Sequence, residues 1–108
     1  MNDFMRPVLY DAVHPVTSAR RPRKSSKRVA RVDVVGPVCE SGDCFLRDWP
    51  LGEVAADDLL VLWGTGAYGM TEASNYNGRP RPAEVLVQGN RFDVIRRRES
   101  RADLIRGE

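Results

Sequence analysis

With 108 residues, 42% of them hydrophobic, the chain is long enough for one domain with a small core and too short for two. No run of eighteen apolar residues occurs, and Met1-Asn2-Asp3 is acidic where a signal peptide would be basic, so a cytoplasmic chain without a membrane span is expected. The formal charge of +2 hides an asymmetry, because seven of the 17 basic residues fall in the acid-free segment 18–31 and the remainder of the chain nets −5. That basic segment carries Pro22, Ser25 and Ser26 and no aromatic residue, so it reads as a solvated loop rather than a nucleic-acid arm. Two cysteines allow at most one bridge, and with His14 far from both no metal cluster is expected.

In chain order, Pro7 suits the first turn of a short helix running to about Val13, with Val8, Leu9, Ala12 and Val13 as an apolar stripe ended by Pro15. Arg6 and Tyr10, four residues apart, share a side off that stripe. A guanidinium beside a phenol can grip a carboxylate, although the pair taken alone reads more simply as an exposed Arg next to a core-edge Tyr. Val29 to Val35 alternates, with Ala30, Val32 and Val34 on one face and Arg31 and Asp33 on the other, which predicts a half-buried strand.

Gly36-Pro37 then halts the strand and Ser41-Gly42-Asp43 signals a turn, leaving Cys39 and Glu40 side by side on a short loop. Their pairing suits chemistry, and it equally suits a small buried Cys beside a solvated Glu. Phe45 to Trp49 reads as a strand closed by Pro50, and Leu59 to Trp63 as a central strand. Gly64-Thr65-Gly66-Ala67-Tyr68-Gly69 has the spacing of a dinucleotide fingerprint, but no apolar helix pattern or lysine follows to support a phosphate site. Its glycines instead let backbone and the Tyr68 phenol approach a bound group. Asn75 to Pro80 is a polar turn. Ala83 to Val87 and Phe92 to Ile95 form a hairpin through Gly89-Asn90, and Ser100 to Asp103 is a capping box that opens a short helix. Arg96-Arg97-Arg98 then reads as a solvated strand end.

Taken together, Arg6-Pro7-Val8-Leu9-Tyr10, Val35 to Asp43, Gly66-Ala67-Tyr68-Gly69, Ser74-Asn75-Tyr76-Asn77 and Arg79 to Val87 closely resemble the C-terminal domain of the diaminopimelate decarboxylases. The Cys-Glu-Ser-Gly-Asp string is specific, since the related ornithine and arginine decarboxylases usually carry Cys-Asp there. Three departures stand out: the heavily basic loop, Cys44 where the family is usually apolar or aromatic, and Glu72 where Met is common.

The resemblance implies a mainly β domain, a Greek-key-like barrel or sandwich with a short helix at each end, spanning residues 1–108. It also implies pyridoxal 5'-phosphate as cofactor, held by a lysine of an N-terminal (β/α)₈ barrel domain. Further implications are a head-to-tail homodimer and the conversion of meso-diaminopimelate to L-lysine and CO₂. By the same resemblance Arg6 and Tyr10 contact the substrate carboxylate and Cys39 donates a proton to the carbon that loses CO₂. Glu40 receives the amino group at the substrate's distal end, and Tyr68 lies near cofactor phosphate and substrate. In that family a strand from the enzyme's extreme N-terminus completes the β-domain, so an open edge is expected here.

Counting lysines limits what the chain can do alone. Lys24 and Lys27 are the two it has, both in the basic loop, where nothing desolvates an amine for covalent cofactor binding. The isolated chain is therefore expected neither to bind the cofactor covalently nor to decarboxylate. The competing reading is a stand-alone binding or regulatory β-module that pairs with a homologous decarboxylase.

Overall fold

The computed structural model describes residues 4–20 and 29–108. Mainly β structure with a short helix near each end is found, built as three antiparallel two-stranded ladders. In order these are α1 (Arg6–Tyr10), β1 (Val16–Ser18), β2 (Val29–Val35), β3 (Cys44–Gly52), β4 (Leu60–Leu62), a 3₁₀ turn (Tyr76–Gly78), β5 (Glu84–Gln88), β6 (Arg91–Arg96) and α2 (Arg101–Leu104). The pairs are β1 with β4, β2 with β3, and β5 with β6. Among the described residues no helix is long and apolar enough to cross a membrane.

Among the described residues the buried apolar ones are Phe4, Val16, Leu46 and Leu51, and the last three form a cluster with Val32, Val34, Trp49 and Leu62 packed against it. Val16, only 2% exposed, lies at its centre. Strand β1 was not foreseen, because three residues between Pro15 and a charged run carry too little pattern to read. It is the hub of this end of the molecule: Trp49 Nε1 donates to Val16 O at 2.9 Å, Trp63 Nε1 to Thr17 Oγ1 at 2.8 Å, and Trp63 N–H to Pro15 O at 2.9 Å. His14, buried beside β1 against the Phe4 ring, bonds the Trp63 carbonyl through Nδ1 at 3.0 Å.

Three predicted boundaries move. Helix α1 stops at Tyr10 because Asp11 takes a left-handed conformation, φ 50°, with its N–H returned to Arg6 O, and Val8, Leu9 and Val13 stay exposed. Strand β4 covers three residues and pairs with β1 alone among the described residues, so it is not a central strand. Strand β3 runs on through Pro50 to Gly52, opposite β2 alone among the described residues. A proline is tolerated where its missing N–H faces away from the ladder.

Between the pairs Val32↔Trp49 and Val34↔Leu46 the register shifts, so Arg47 and Asp48 oppose Asp33 alone. This bulge places Asp48 at φ 51°, with its N–H donated to Asp33 Oδ1 at 2.8 Å and its carboxylate held by Arg31. Arg31 ends the basic segment. Near the other end, Arg20 pairs with Asp58 at 3.0 Å. Both flanks of the segment are thus engaged with acids of the same chain, and residues 21–28 between them lie outside the described residues. Of the segment drawn as a loop, Ser18 belongs to β1 and Val29 to Arg31 belong to β2.

The hairpin of β5 and β6 forms as predicted, turning through Gly89-Asn90 with Gly89 at φ 61°, where a side chain would be strained. Its base is locked by ion pairs. Arg96 meets Glu84 at 2.6 Å, and Arg97 meets Asp103, which also accepts the Ser100 N–H in the capping box of α2. Arg81 holds Glu99 through its Nε at 2.8 Å and its backbone N–H at 2.7 Å, and Asn75 Nδ2 reaches the same carboxylate at 2.6 Å.

These contacts hold the Glu99 carboxyl at about 2, well below its ordinary 4.5, through the hydrogen bond from the Arg81 side chain first and then those from the Arg81 backbone and Asn75. A depressed carboxyl contributes stability that is complete above its unfolded value and is lost as pH falls through its folded value. Thermal stability is therefore expected to be flat near neutrality and to fall between pH 4.5 and about 2. In Glu99→Gln the part of that fall due to this clamp should be missing, as melting curves taken across the window will show.

Candidate active site

The loop between β2 and β3 is built around Asp43. This residue is 4% exposed, and its Oδ2 accepts the Val38 N–H at 2.8 Å while its backbone oxygen accepts the Gly36 N–H at 2.9 Å. The Asp43 N–H returns to Glu40 O at 3.0 Å, so residues 36–43 form one closed turn. A side chain at Gly36 would collide with the Asp43 carboxylate, which is why glycine stands there. Reading the sequence treated Asp43 only as a turn former. Its structural role was signalled by a short carboxylate placed seven residues after a glycine.

Cys39 and Glu40 sit exposed on the outer side of this turn, and Cys39 is a free thiol. The Glu40 side chain folds back over Gly42: a Cβ built on Gly42 would lie 3.2 Å from Glu40 Oε1 and 3.5 Å from Val8 Cγ2. Met5, Val8, Glu40, Gly42, Ser74 and Tyr76 line an open cleft of about 260 Å³. Tyr76 and Glu40 share this cleft, and interaction with the Glu40 carboxylate, through hydrogen bonding first and then its charge, raises the phenol above its ordinary value. In the sequence Tyr76 stands in a polar turn and in the Ser74-Asn75-Tyr76-Asn77 motif with no role of its own, so its place in the Glu40 cleft is new from the structure.

Arg6, Tyr10 and Tyr68 form a second group. The Arg6 guanidinium lies 4.1 Å from the Tyr68 ring centroid and 5.6 Å from that of Tyr10, so the expected Arg6–Tyr10 pairing is found and Tyr68 is added to it. Arg6 Nε is buried and has no hydrogen-bond partner among the described residues. A buried donor left without an acceptor is costly, and an incoming anion would satisfy it. Tyr68 is carried by a coil of successive turns in which the Tyr68 and Gly69 N–H groups both donate to Thr65 O, at 3.1 and 2.7 Å. Gly66 in the same loop has open space where a side chain would be.

The two groups lie on different faces of α1. Arg6 and Tyr10 are one turn apart and share a face, whereas Val8, two positions from each, points to the Glu40 cleft.

Compared with known proteins, residues 1–66 match the family described as pyridoxal-dependent decarboxylase, C-terminal sheet domain. The chain belongs to that family. This decarboxylase sheet domain is 48% identical over 108 residues to the diaminopimelate decarboxylase of Zymomonas mobilis, covering all of this chain and 25% of that protein. It is 45% identical over 107 residues to the one from Methanothermobacter thermautotrophicus, covering 99% of this chain and 24% of that protein. Among solved structures, Helicobacter pylori diaminopimelate decarboxylase complexed with L-lysine superposes with a TM-score of 0.85 at 43% identity, over 96% of this chain and 25% of that one. The M. jannaschii enzyme in complex with L-lysine gives 0.87 at 42% identity, over 98% and 24%. The sheet domain thus spans about a quarter of the length of the relatives it matches.

The family is pyridoxal-dependent, and the residues present suit part of such a site. The buried Arg6 Nε and the open Gly66 beside Tyr68 fit the approach of an anionic group. Neither lysine falls among the described residues.

Proposed function

We propose that this chain is the C-terminal sheet domain of a diaminopimelate decarboxylase, acting with an N-terminal barrel domain that holds pyridoxal phosphate and working in the cytoplasm as part of a homodimer. The observation that carries this reading is the division of the site residues by α1. Arg6, Tyr10 and Tyr68 gather on one face and Glu40 lies over the other, next in sequence to Cys39. A domain arranged in this way serves two cofactor sites at once, giving one group to each. Exposure supports the same reading, since Cys39, Glu40, Tyr10 and Tyr68 all lie open at the surface, ready to be covered by another body. So does the β5–β6 hairpin, where Val85, Val87, Phe92 and Val94 form an exposed apolar face.

When bound, the cofactor stabilises the negative charge left on the substrate carbon as CO₂ departs. The chain's own residues do the remaining work. Arg6 offers its Nε, which has no hydrogen-bond partner among the described residues, to an anionic group, and Tyr68, stacked on the guanidinium, fixes its direction. Glu40 receives the distal ammonium of meso-diaminopimelate, an opposite charge of matching size. Cys39, one residue earlier on the same rigid turn, delivers a proton to the carbon that has lost CO₂. Because Glu40 and Cys39 share the Asp43-centred turn, gripping the far end of the substrate also sets the position of the proton donor.

Alone, the chain has half of each site. Mixed with pyridoxal phosphate and dialysed, it is expected to retain no visible absorbance that borohydride abolishes. Retained absorbance would mean that Lys24 or Lys27 holds the cofactor, and would overturn the division of labour proposed here.

A further inference from the structure

Glu40 has neighbours on several sides, and one of them has no part in the function proposed above. Its backbone oxygen accepts the Asp43 N–H, its side chain lies over Gly42, and Tyr76 lines the same cleft. The backbone of Tyr76 is tied locally. Its N–H points to Ser74 Oγ at 3.4 Å, and Asn75 just before it donates to Arg79 O at 3.0 Å and to Glu99. Asn77 at φ 59° and Gly78 at φ 63° then turn the chain sharply, and the exposed Tyr76 side chain lines the cleft.

We infer that Tyr76 is a positioning residue for Glu40: its hydroxyl donates to one carboxylate oxygen, leaving the other free and correctly aimed for a primary ammonium group. The arrangement deepens, and rests on, the reading of Glu40 as the distal-amine receptor. A carboxylate on two freely rotating carbon–carbon bonds would sample many directions, and one fixed donor restricts it to a few. The phenol is a suitable donor because it stays protonated in the presence of the negative charge it orients, and Glu40 raises its pKa further in that direction. A tyrosine also selects by charge. Glu40 with a phenol partner remains an anion, whereas an Arg or Lys at position 76 would neutralise it and compete with the substrate.

The test uses a full-length chimera in which this chain replaces the matching C-terminal quarter of the Zymomonas mobilis decarboxylase. Tyr76→Phe removes the hydroxyl and keeps the ring. It is expected to raise KM for meso-diaminopimelate about tenfold with kcat changed less than about twofold, as loss of a hydrogen bond to a charged group that acts on binding alone predicts. Glu40→Gln should raise KM further, and the Tyr76→Phe/Glu40→Gln double variant should be no worse than Glu40→Gln alone, because the hydroxyl acts through that carboxylate. A readout independent of turnover is the ¹³Cζ resonance of Tyr76, identified by its loss in Tyr76→Phe, which should shift in Glu40→Gln. Multiplying effects in the double variant, or an unchanged KM in Tyr76→Phe beside an impaired Glu40→Gln, would overturn the inference while leaving the reading of Glu40 intact. A Glu40→Gln chimera with unchanged KM would remove both. A ¹³Cζ resonance unmoved by Glu40→Gln would overturn the pairing whatever the activity.

Discussion

Cys39→Ala, placed in an enzyme completed by a cofactor-holding domain, is expected to lower kcat by about 10²- to 10⁴-fold, the range over which a positioned general acid acts, while KM stays within about threefold. The geometry gives the reason for the split. Cys39 is exposed at the outside of the turn, so its loss leaves no cavity, and the turn itself is held by Asp43 rather than by the thiol. Glu40 keeps its place in the variant and substrate binding survives. Steady-state kinetics with a melting curve for each protein checks both halves, and turnover retained in Cys39→Ala would assign the proton transfer to another group.

The second large effect is on stability. Gly36→Ala is expected to destabilise the domain by about 3 kcal/mol, combining overpacking with a buried carboxylate pushed off its donor. The built Cβ runs into the Asp43 side chain, and that side chain is too enclosed to swing aside without giving up the Val38 N–H. Denaturant unfolding measures the loss. By contrast, Gly52→Ala, at a position with nothing nearby and no φ requirement, should change stability by less than about 0.5 kcal/mol. Equal effects at the two glycines would contradict the structural account of the turn.

How far the fold and site were readable from sequence depended on how local the determinants were. The β5–β6 hairpin and the capping box of α2 are written in adjacent residues, Gly89-Asn90 and Ser100 to Asp103, and both formed where expected. Helix α1 was drawn too long because its apolar spacing continues to Val13. The left-handed turn at Asp11 that ends it leaves no apolar mark. Strand β1 was invisible for the opposite reason, since its importance comes from Trp49 and Trp63, which reach it from 33 and 46 residues away.

The site divides along the same line. Arg6 with Tyr10 follows from helical spacing, and the Cys39-Glu40 turn from its flanking glycines. That Tyr68 stacks on Arg6 and that Tyr76 faces Glu40 are tertiary facts, set by loops whose paths no periodicity encodes. The motif around Tyr76 was visible, but its chemistry was not, because a tyrosine in a polar turn is indistinguishable from an exposed one until its partner is placed.

Lysine formation from meso-diaminopimelate by this chain, measured with and without a separately produced N-terminal three quarters of the Zymomonas mobilis decarboxylase, tests the central claim most directly. Two inactive halves should give pyridoxal-phosphate-dependent lysine and CO₂ when mixed, and Cys39→Ala in this chain should abolish the gain. Lysine formed by this chain alone, or a mixture as inactive as its parts despite a stable complex between them, would contradict the account of two half-sites.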